Sequence, residues 1–289
     1  SVSQVAVTVF RMSLGKAGPE RYPAPLSRLH HRRAWGPPWA MPALLTSPLI
    51  FSILFAFFLI VGSLEFANLL SLNKKITVSI SVAFYVIFSA LGFEGDYFFE
   101  VIPFLAFVIS SYLLYFLFYH RVKISDYLWI RYVLFLGYIL FPFLLIIKLQ
   151  SEISQIMLSV FLLVWCNDTF AYLSGKSFGK NPLFSTVSPK KTIEGFVGGL
   201  LFAVTAAIML HVFVYPDLMS FTSWVAFAII ISIFGTLGDL VQSKLKRMAG
   251  VKDSGSIMPG HGGVLDRLDS VIFIIPSIYI LIKYISYVS

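Results

Sequence analysis

The chain has 289 residues, of which 58% are hydrophobic and only 12% charged. A soluble domain carries about 25% charged residues, so the composition excludes a soluble globular protein and points to an integral membrane protein. The net charge of +8 does not make a nucleic-acid binder, because the basic residues lie in short segments between apolar runs. There they meet a membrane surface, anionic lipid or phosphate ligands.

A helix that crosses a bilayer needs about 20 predominantly apolar residues. In chain order, the candidate spans are 44–66, 76–93, 101–119, 127–148, 153–173, 193–215, 221–241 and 264–288. The expected fold is all-α, a polytopic integral membrane bundle of eight or nine transmembrane helices. The chain divides into an atypical basic segment, 1–40, N-terminal helices within 41–120 and a middle group within 121–173. A C-terminal region, 174–289, follows, with two long basic loops at 174–192 and 242–263. The single cysteine, Cys166, reads as a small packing residue.

Basic residues occupy alternate connections: Lys74 and Lys75; Arg121 and Lys123; Lys176, Lys180, Lys190 and Lys191; Lys244, Lys246, Arg247 and Lys252. The positive-inside rule puts these on the cytoplasmic side. The same parity places 1–40 outside although it carries Arg11, Lys16, Arg21, Arg28, Arg32 and Arg33, a conflict that a further crossing near the N-terminus would remove. Within the spans, Arg131 either snorkels or pairs, with Glu65 a candidate partner.

Four aspartates approach one depth from three spans. Asp168 lies about five residues before the cytoplasmic end of its span, and Asp239 about two before the end of 221–241, by the rise of a helix. Asp266 and Asp269 open the last span and, at i and i+3, share a helix face. Charge beside hydrocarbon is costly, and clustered carboxylates repel. Hard divalent cations relieve both: Mg²⁺ takes oxygen ligands, typically one or two carboxylates plus substrate phosphates. Two metals can serve in-line phosphoryl or nucleotidyl transfer. The alternative is that the aspartates pair with nearby lysines and arginines or cap helices.

The turn Pro259-Gly260-His261-Gly262-Gly263 lets backbone N–H groups approach phosphate oxygens ahead of a helix start. His261 either donates to a phosphate, assists proton transfer or braces the turn. Upstream, Lys244, Lys246, Arg247 and Lys252 can neutralise a triphosphate or a lipid phosphate, or are ordinary positive-inside charge. In the other basic loop Ser188 fits an N-cap and Pro189 a first helical turn, which would put Lys190 and Lys191 at the positive end of a helix. Asn167-Asp168-Thr169 is a polar break late in an apolar span. Neither a Walker A motif nor GxGxxG is present.

These residues resemble the phosphatidate cytidylyltransferase, or CDP-diacylglycerol synthase, family. The likeness is carried by Ser243-Lys-Leu-Lys-Arg247, Lys252-Asp253-Ser-Gly255, Pro259-Gly-His-Gly-Gly263 and Asp266-Arg-Leu-Asp269. Support comes from Asn167-Asp168-Thr-Phe-Ala-Tyr172, from Ser188-Pro-Lys-Lys-Thr192 with Glu194-Gly195, and from Gly235-Thr-Leu-Gly-Asp239. The likeness spans roughly 150–270; ahead of it the chain is similar only as generic apolar helices. Met258 and the segment 1–40 depart from the family pattern.

The resemblance implies an enzyme of a bacterial inner membrane, with its active site facing the cytoplasm. It would transfer the cytidylyl group of CTP to phosphatidic acid, giving CDP-diacylglycerol and pyrophosphate, with Mg²⁺ and room for a second cation. Asp239, Asp266, Asp269, His261 and Lys252 would be the catalytic set, and Asp168, Asp239, Asp266 and Asp269 the metal ligands. Lys244, Lys246, Arg247, Ser188, Lys190, Lys191, Asn167, Gly260, Gly262 and Gly263 would contact substrate. The partners implied are CTP, phosphatidic acid and membrane lipids, without nucleic acid; a homo-oligomer is left open. One rival is a CTP-dependent polyprenol or lipid kinase, which would release CDP. Another is an ion-coupled transporter, which would hold its carboxylates near the bilayer midplane on broken helices.

Overall fold

The computed structural model describes residues 48–90, 96–119, 124, 127–256 and 262–288. The segment 1–40, the pair Arg121 and Lys123, and the site candidates Gly260 and His261 lie outside the described residues. The predicted spans all become helices: α1 (Pro48–Leu69), α2 (Lys74–Ala90), α3 (Asp96–Phe118), α4 (Leu128–Glu152), α5 (Ser154–Phe178), α6 (Ile193–Val214), α7 (Phe221–Met248) and α8 (Leu265–Val288). Among the described residues, seven helices are long and apolar enough to cross a membrane; α2, with 17 residues, is the shorter exception. The chain is an all-α, polytopic integral membrane protein.

In lipid the apolar surroundings give helices little reason to associate, so packing, close backbone approach and interhelical hydrogen bonds hold the bundle. Most of α4 and α8 is buried, whereas α6 is largely exposed to its surroundings. Around the inner helices, Phe66, Phe135, Tyr138, Phe143 and Phe273 are fully enclosed. Tyr138 lies in a π-helical turn, Leu136–Leu140, inside α4, a local widening that often marks a functional site. Helices α7 and α8 touch through Gly238: a Cβ there would stand 2.6 Å from the Cβ of Phe273 and 2.9 Å from the carbonyl oxygen of Asp269. That close approach brings Asp239 beside Asp269. Gly238→Ala should therefore push the two helices apart, costing about 1–3 kcal/mol by overpacking, and should lower the thermal midpoint measured in detergent. An unchanged midpoint would mean that the interface yields freely.

Three expectations about the basic segments need correction. Helix α7 does not stop near 241 but continues to Met248, so Lys244, Lys246 and Arg247 stand on its last turns rather than in a loop. The apolar criterion ended the span at the first charges, but Lys, Leu, Arg and Met are good helix formers, and cations suit a helix C-terminus. The helix closes with Gly250 at φ +72°, Val251 N–H donating to the Lys246 carbonyl (2.9 Å) and Gly250 N–H to that of Arg247 (3.1 Å), a Schellman ending. Helix α5 likewise continues past 173 to Phe178. Asp239 and Asp168 thus lie deeper within their helices than their predicted span ends implied.

The third correction concerns Ser188. The segment is not a helix start but an antiparallel hairpin, β1 (Pro182–Phe184) and β2 (Ser188–Thr192), with Pro182 facing Thr192. The residue that caps α6 is Thr192, whose Oγ1 accepts from the Gly195 N–H at 3.1 Å. Glu194 in the first turn of α6 folds back and accepts from the backbone N–H groups of Lys180 (3.1 Å) and Asn181 (3.2 Å), tying the hairpin to the helix.

Candidate active site

Three of the four aspartates lie in one neighbourhood, centred on Asp239. Asp239 on α7 and Asp269 on α8 meet side chain to side chain, and Asp168 on α5 lies within electrostatic reach of Asp239. The hairpin contributes Lys191, whose ammonium forms an ion pair with Asp239 Oδ2. The Ser270 hydroxyl donates to Asp239 Oδ1 at 2.8 Å, and the Ser270 N–H donates to Asp269 Oδ1 at 2.9 Å. Tyr138 reaches the electrostatic field of both Asp239 and Asp269 from α4 and donates from its hydroxyl to Gln242 Oε1 at 3.3 Å.

Asn167 is buried rather than open to a ligand. Its Oδ1 accepts from the Ser232 hydroxyl at 2.8 Å, and its Nδ2 donates to Asp168 Oδ1 at 3.2 Å. It orients Asp168 from within the bundle. Gly199 on α6 makes room for it, since a Cβ there would stand 2.9 Å from Asn167 Oδ1.

Asp266 has a different set of partners. Its Oδ1 accepts from Lys246 at 2.7 Å, and its Oδ2 accepts from the N–H groups of Ser254 (2.8 Å) and Gly263 (3.0 Å). Gly262, at φ +82°, turns the chain beside this carboxylate. A Cβ on it would stand 2.8 Å from Asp266 Oδ2. Lys246 and Asp266 thus brace the loop between α7 and α8, in line with the pairing alternative weighed from sequence. Its partners thus differ from those of Asp168, Asp239 and Asp269.

The remaining basic candidates divide. Lys244 turns away from the carboxylates: its ammonium donates to the carbonyls of Phe116 and Leu117 and sits 4.2 Å from the centre of the Phe116 ring. It caps the C-terminal end of α3, where cations are favoured. Arg247 is exposed, with Nη1 donating to the Val251 carbonyl at 3.4 Å. Lys252 and Lys190 are exposed, and Ser188 is partly buried. Because side chains alternate along a strand, Lys190 and Lys191 leave β2 on opposite sides and do not act as a pair.

Among the described residues, no three carboxylate, histidine or cysteine side chains converge on one point as a ready cation cage. The donor chemistry nevertheless suits a hard cation. Two carboxylates in contact, with a third nearby, share the charge of one lysine, and Mg²⁺ commonly uses only one or two protein carboxylates, completing its shell with water and phosphate.

Sequence reasoning missed Tyr138, Gln242, Ser232 and Ser270, and it read Glu65 only as a candidate partner of Arg131. The first four reach the site only through tertiary contacts, and as single polar groups in apolar spans they carry no motif. Arg131 donates to the Leu70 carbonyl at 3.1 Å, and Glu65 bonds the start of α8.

Comparison with known proteins adds an independent line. Residues 33–285 match the model of the family described as the cytidylyltransferase family. The chain is similar to a phosphatidate cytidylyltransferase of Staphylococcus saprophyticus, with 44% identity over 147 residues, 51% of this chain and 56% of the relative. It is 45% identical to proteins of the same name from Staphylococcus epidermidis, over 147 residues, and Staphylococcus aureus, over 148, each covering 50% of this chain and 56% of the relative. The chain thus spans just over half the length of the curated relatives it matches. With most of its length, including all of the carboxylate cluster, inside the family match, the chain belongs to the cytidylyltransferase family.

Proposed function

We propose that this protein transfers the cytidylyl group of CTP to phosphatidic acid, giving CDP-diacylglycerol and pyrophosphate, at the cytoplasmic face of a bacterial inner membrane. The observation that carries the reading is the cluster of Asp168, Asp239 and Asp269 with Lys191, gathered from three helices and a hairpin; Lys190 and Lys252 are exposed. Relatives bearing the name phosphatidate cytidylyltransferase support it.

The reaction joins a phosphatidate oxygen to the α-phosphorus of CTP and breaks the bond from that phosphorus to the bridging oxygen of the leaving pyrophosphate. The nucleophile is already anionic, so the protein has little proton transfer to perform. Its work is to position two polyanions and offset their charge. Lys191, fixed by Asp239, presents an ammonium at the carboxylate cluster, and Lys190, Lys252 and Arg247 supply exposed cations for phosphate oxygens. Lys246 and Asp266 hold the loop that brings Lys252 and the glycines to the head of α8. Asp239 and Asp269, with Asp168 alongside, would hold Mg²⁺, and the chemistry it would supply there is neutralisation of phosphate charge.

The test uses the purified protein in detergent with labelled CTP, phosphatidic acid and Mg²⁺. Label in the lipid phase with release of pyrophosphate supports the reading. Release of CDP with a phosphorylated lipid alcohol would make the protein a kinase. Orientation has its own check in a Cys166-free background: Ser185→Cys and Lys252→Cys should react with an impermeant thiol reagent from the cytoplasmic side, and Asp217→Cys only from the other. Reaction of all three from one face would overturn the placement, which rests on loop charge.

A further inference from the structure

Glu65 lies near the end of α1, a helix whose sequence otherwise reads as an apolar anchor, and it is only 3% exposed. A buried carboxylate needs partners, and this one finds them in the segment that enters α8. Its Oε1 accepts from the Val264 N–H at 2.9 Å, and its Oε2 from the Leu265 N–H at 2.9 Å and the Ser254 hydroxyl at 2.8 Å. Side chains at Gly255 or Gly263 would run into the same carboxylate, so both glycines wrap it. One turn before it, a Cβ on Gly62 would stand 3.0 Å from Leu265 Cδ2, which marks how closely α1 approaches the head of α8.

We propose that Glu65 is a positioning residue for the transfer reaction, setting the register of α8, and so of Asp266 and Asp269, against α7. The inference rests on the function proposed above. The first N–H groups of a helix lack partners within it, and a local serine, threonine or aspartate usually supplies the acceptor. At the start of α8 the N-cap position is Val264, which has no side-chain acceptor. The carboxylate comes instead from a residue 199 positions earlier, and its charge suits the positive end of the helix. The head of α8 is therefore capped only when α1 is docked. Asp269 stands four residues beyond Leu265, about 6 Å along the axis, so a shift at the cap is carried rigidly to the Asp239–Asp269 contact. The Ser254 bond ties the loop just after Lys252 to the same oxygen. One buried carboxylate thereby fixes a cation-bearing loop and two aspartates together.

Glu65→Gln keeps the volume but replaces an acceptor oxygen with an NH₂ facing donors. In the full chain, with CTP and phosphatidic acid varied separately in mixed micelles, kcat should fall about 10²-fold, the scale of a misplacement near 1 Å. The KM for phosphatidic acid should change less than kcat, because the main loss is of interactions made in the transition state. Amide hydrogen exchange at Val264 and Leu265 should accelerate while the interior of α4 stays protected. Ser254→Ala removes one bond, leaves the helix cap, and should give a smaller loss of kcat; it carries the test if Glu65→Gln does not accumulate as folded protein. A folded Glu65→Gln protein with wild-type kcat, or with wild-type exchange at Val264 and Leu265, overturns the proposal, as does Ser254→Ala with wild-type kcat. A wild-type protein that makes no CDP-diacylglycerol sinks the functional reading instead, and the exchange measurement then decides the clamp by itself.

Discussion

Asp239→Asn and Asp269→Asn should each lower turnover by about 10²–10³-fold, the loss typical of removing one preorganised charge-stabilising group, while leaving the protein folded. Asparagine keeps the shape and one acceptor oxygen at either position, so packing between α7 and α8 is preserved. The consequences for stability should differ. Asp239 is the partner of Lys191 and accepts from Ser270, so Asp239→Asn strands a partly buried ammonium and should lower the thermal midpoint. Asp269 instead meets another carboxylate. Asp269→Asn relieves that repulsion and should hold or raise the midpoint while lowering turnover, a trade of activity for stability that functional sites often show. Asp217→Asn, on an exposed connection at the far end of α6 and α7, is the control and should leave both properties unchanged. Thermal unfolding in detergent beside initial rates at several Mg²⁺ concentrations decides the matter. Near-normal turnover of Asp269→Asn at low Mg²⁺ would remove this aspartate from the site.

How legible all this was in the sequence follows from range. Every described helix was visible, because a run of about 20 apolar residues has few other uses, and the aspartates stood out as charge inside such runs. The ends of α5 and α7 were not visible, since hydropathy falls at Ser174 and Lys244 while helical propensity does not. Ser188 and Pro189 fit a helix cap locally, but the structure uses them as an extended strand pinned by Glu194 and capped at Thr192. Tertiary pairings were the least legible. Lys191 meets Asp239 across 48 positions and Ser254 meets Glu65 across 189, and no local pattern encodes either contact. The aspartates of the last helix looked equivalent at i and i+3, yet the partners around them give Asp266 to the loop and Asp269 to the carboxylate pair.

The two adjacent lysines of the hairpin should behave very differently, and the difference tests the strand directly. Lys191 is partly buried against Asp239 and offsets a cluster of three carboxylates. Lys191→Ala leaves those carboxylates without their cation, and breaking a buried pair by removing one partner is costly, about 3–5 kcal/mol when burial is complete. Partial exposure reduces that figure here, and a kcat loss of roughly 10²-fold is expected with a lower thermal midpoint. Lys191→Arg should recover only part of it, because a planar fork cannot replace a compact ammonium in the same space. Lys190 points the other way and is exposed. An exposed charge contributes about 0–1 kcal/mol, so Lys190→Ala should leave kcat unchanged and raise the KM for an anionic substrate by no more than about fivefold. Salt separates the two mechanisms. Raising ionic strength screens exposed charges and spares buried ones, so the Lys190→Ala defect should fade in high salt and the Lys191→Ala defect persist. Equal losses in kcat for the two variants, or equal fading with salt, would mean that both lysines act in the same way and that the alternation of β2 does not govern their roles.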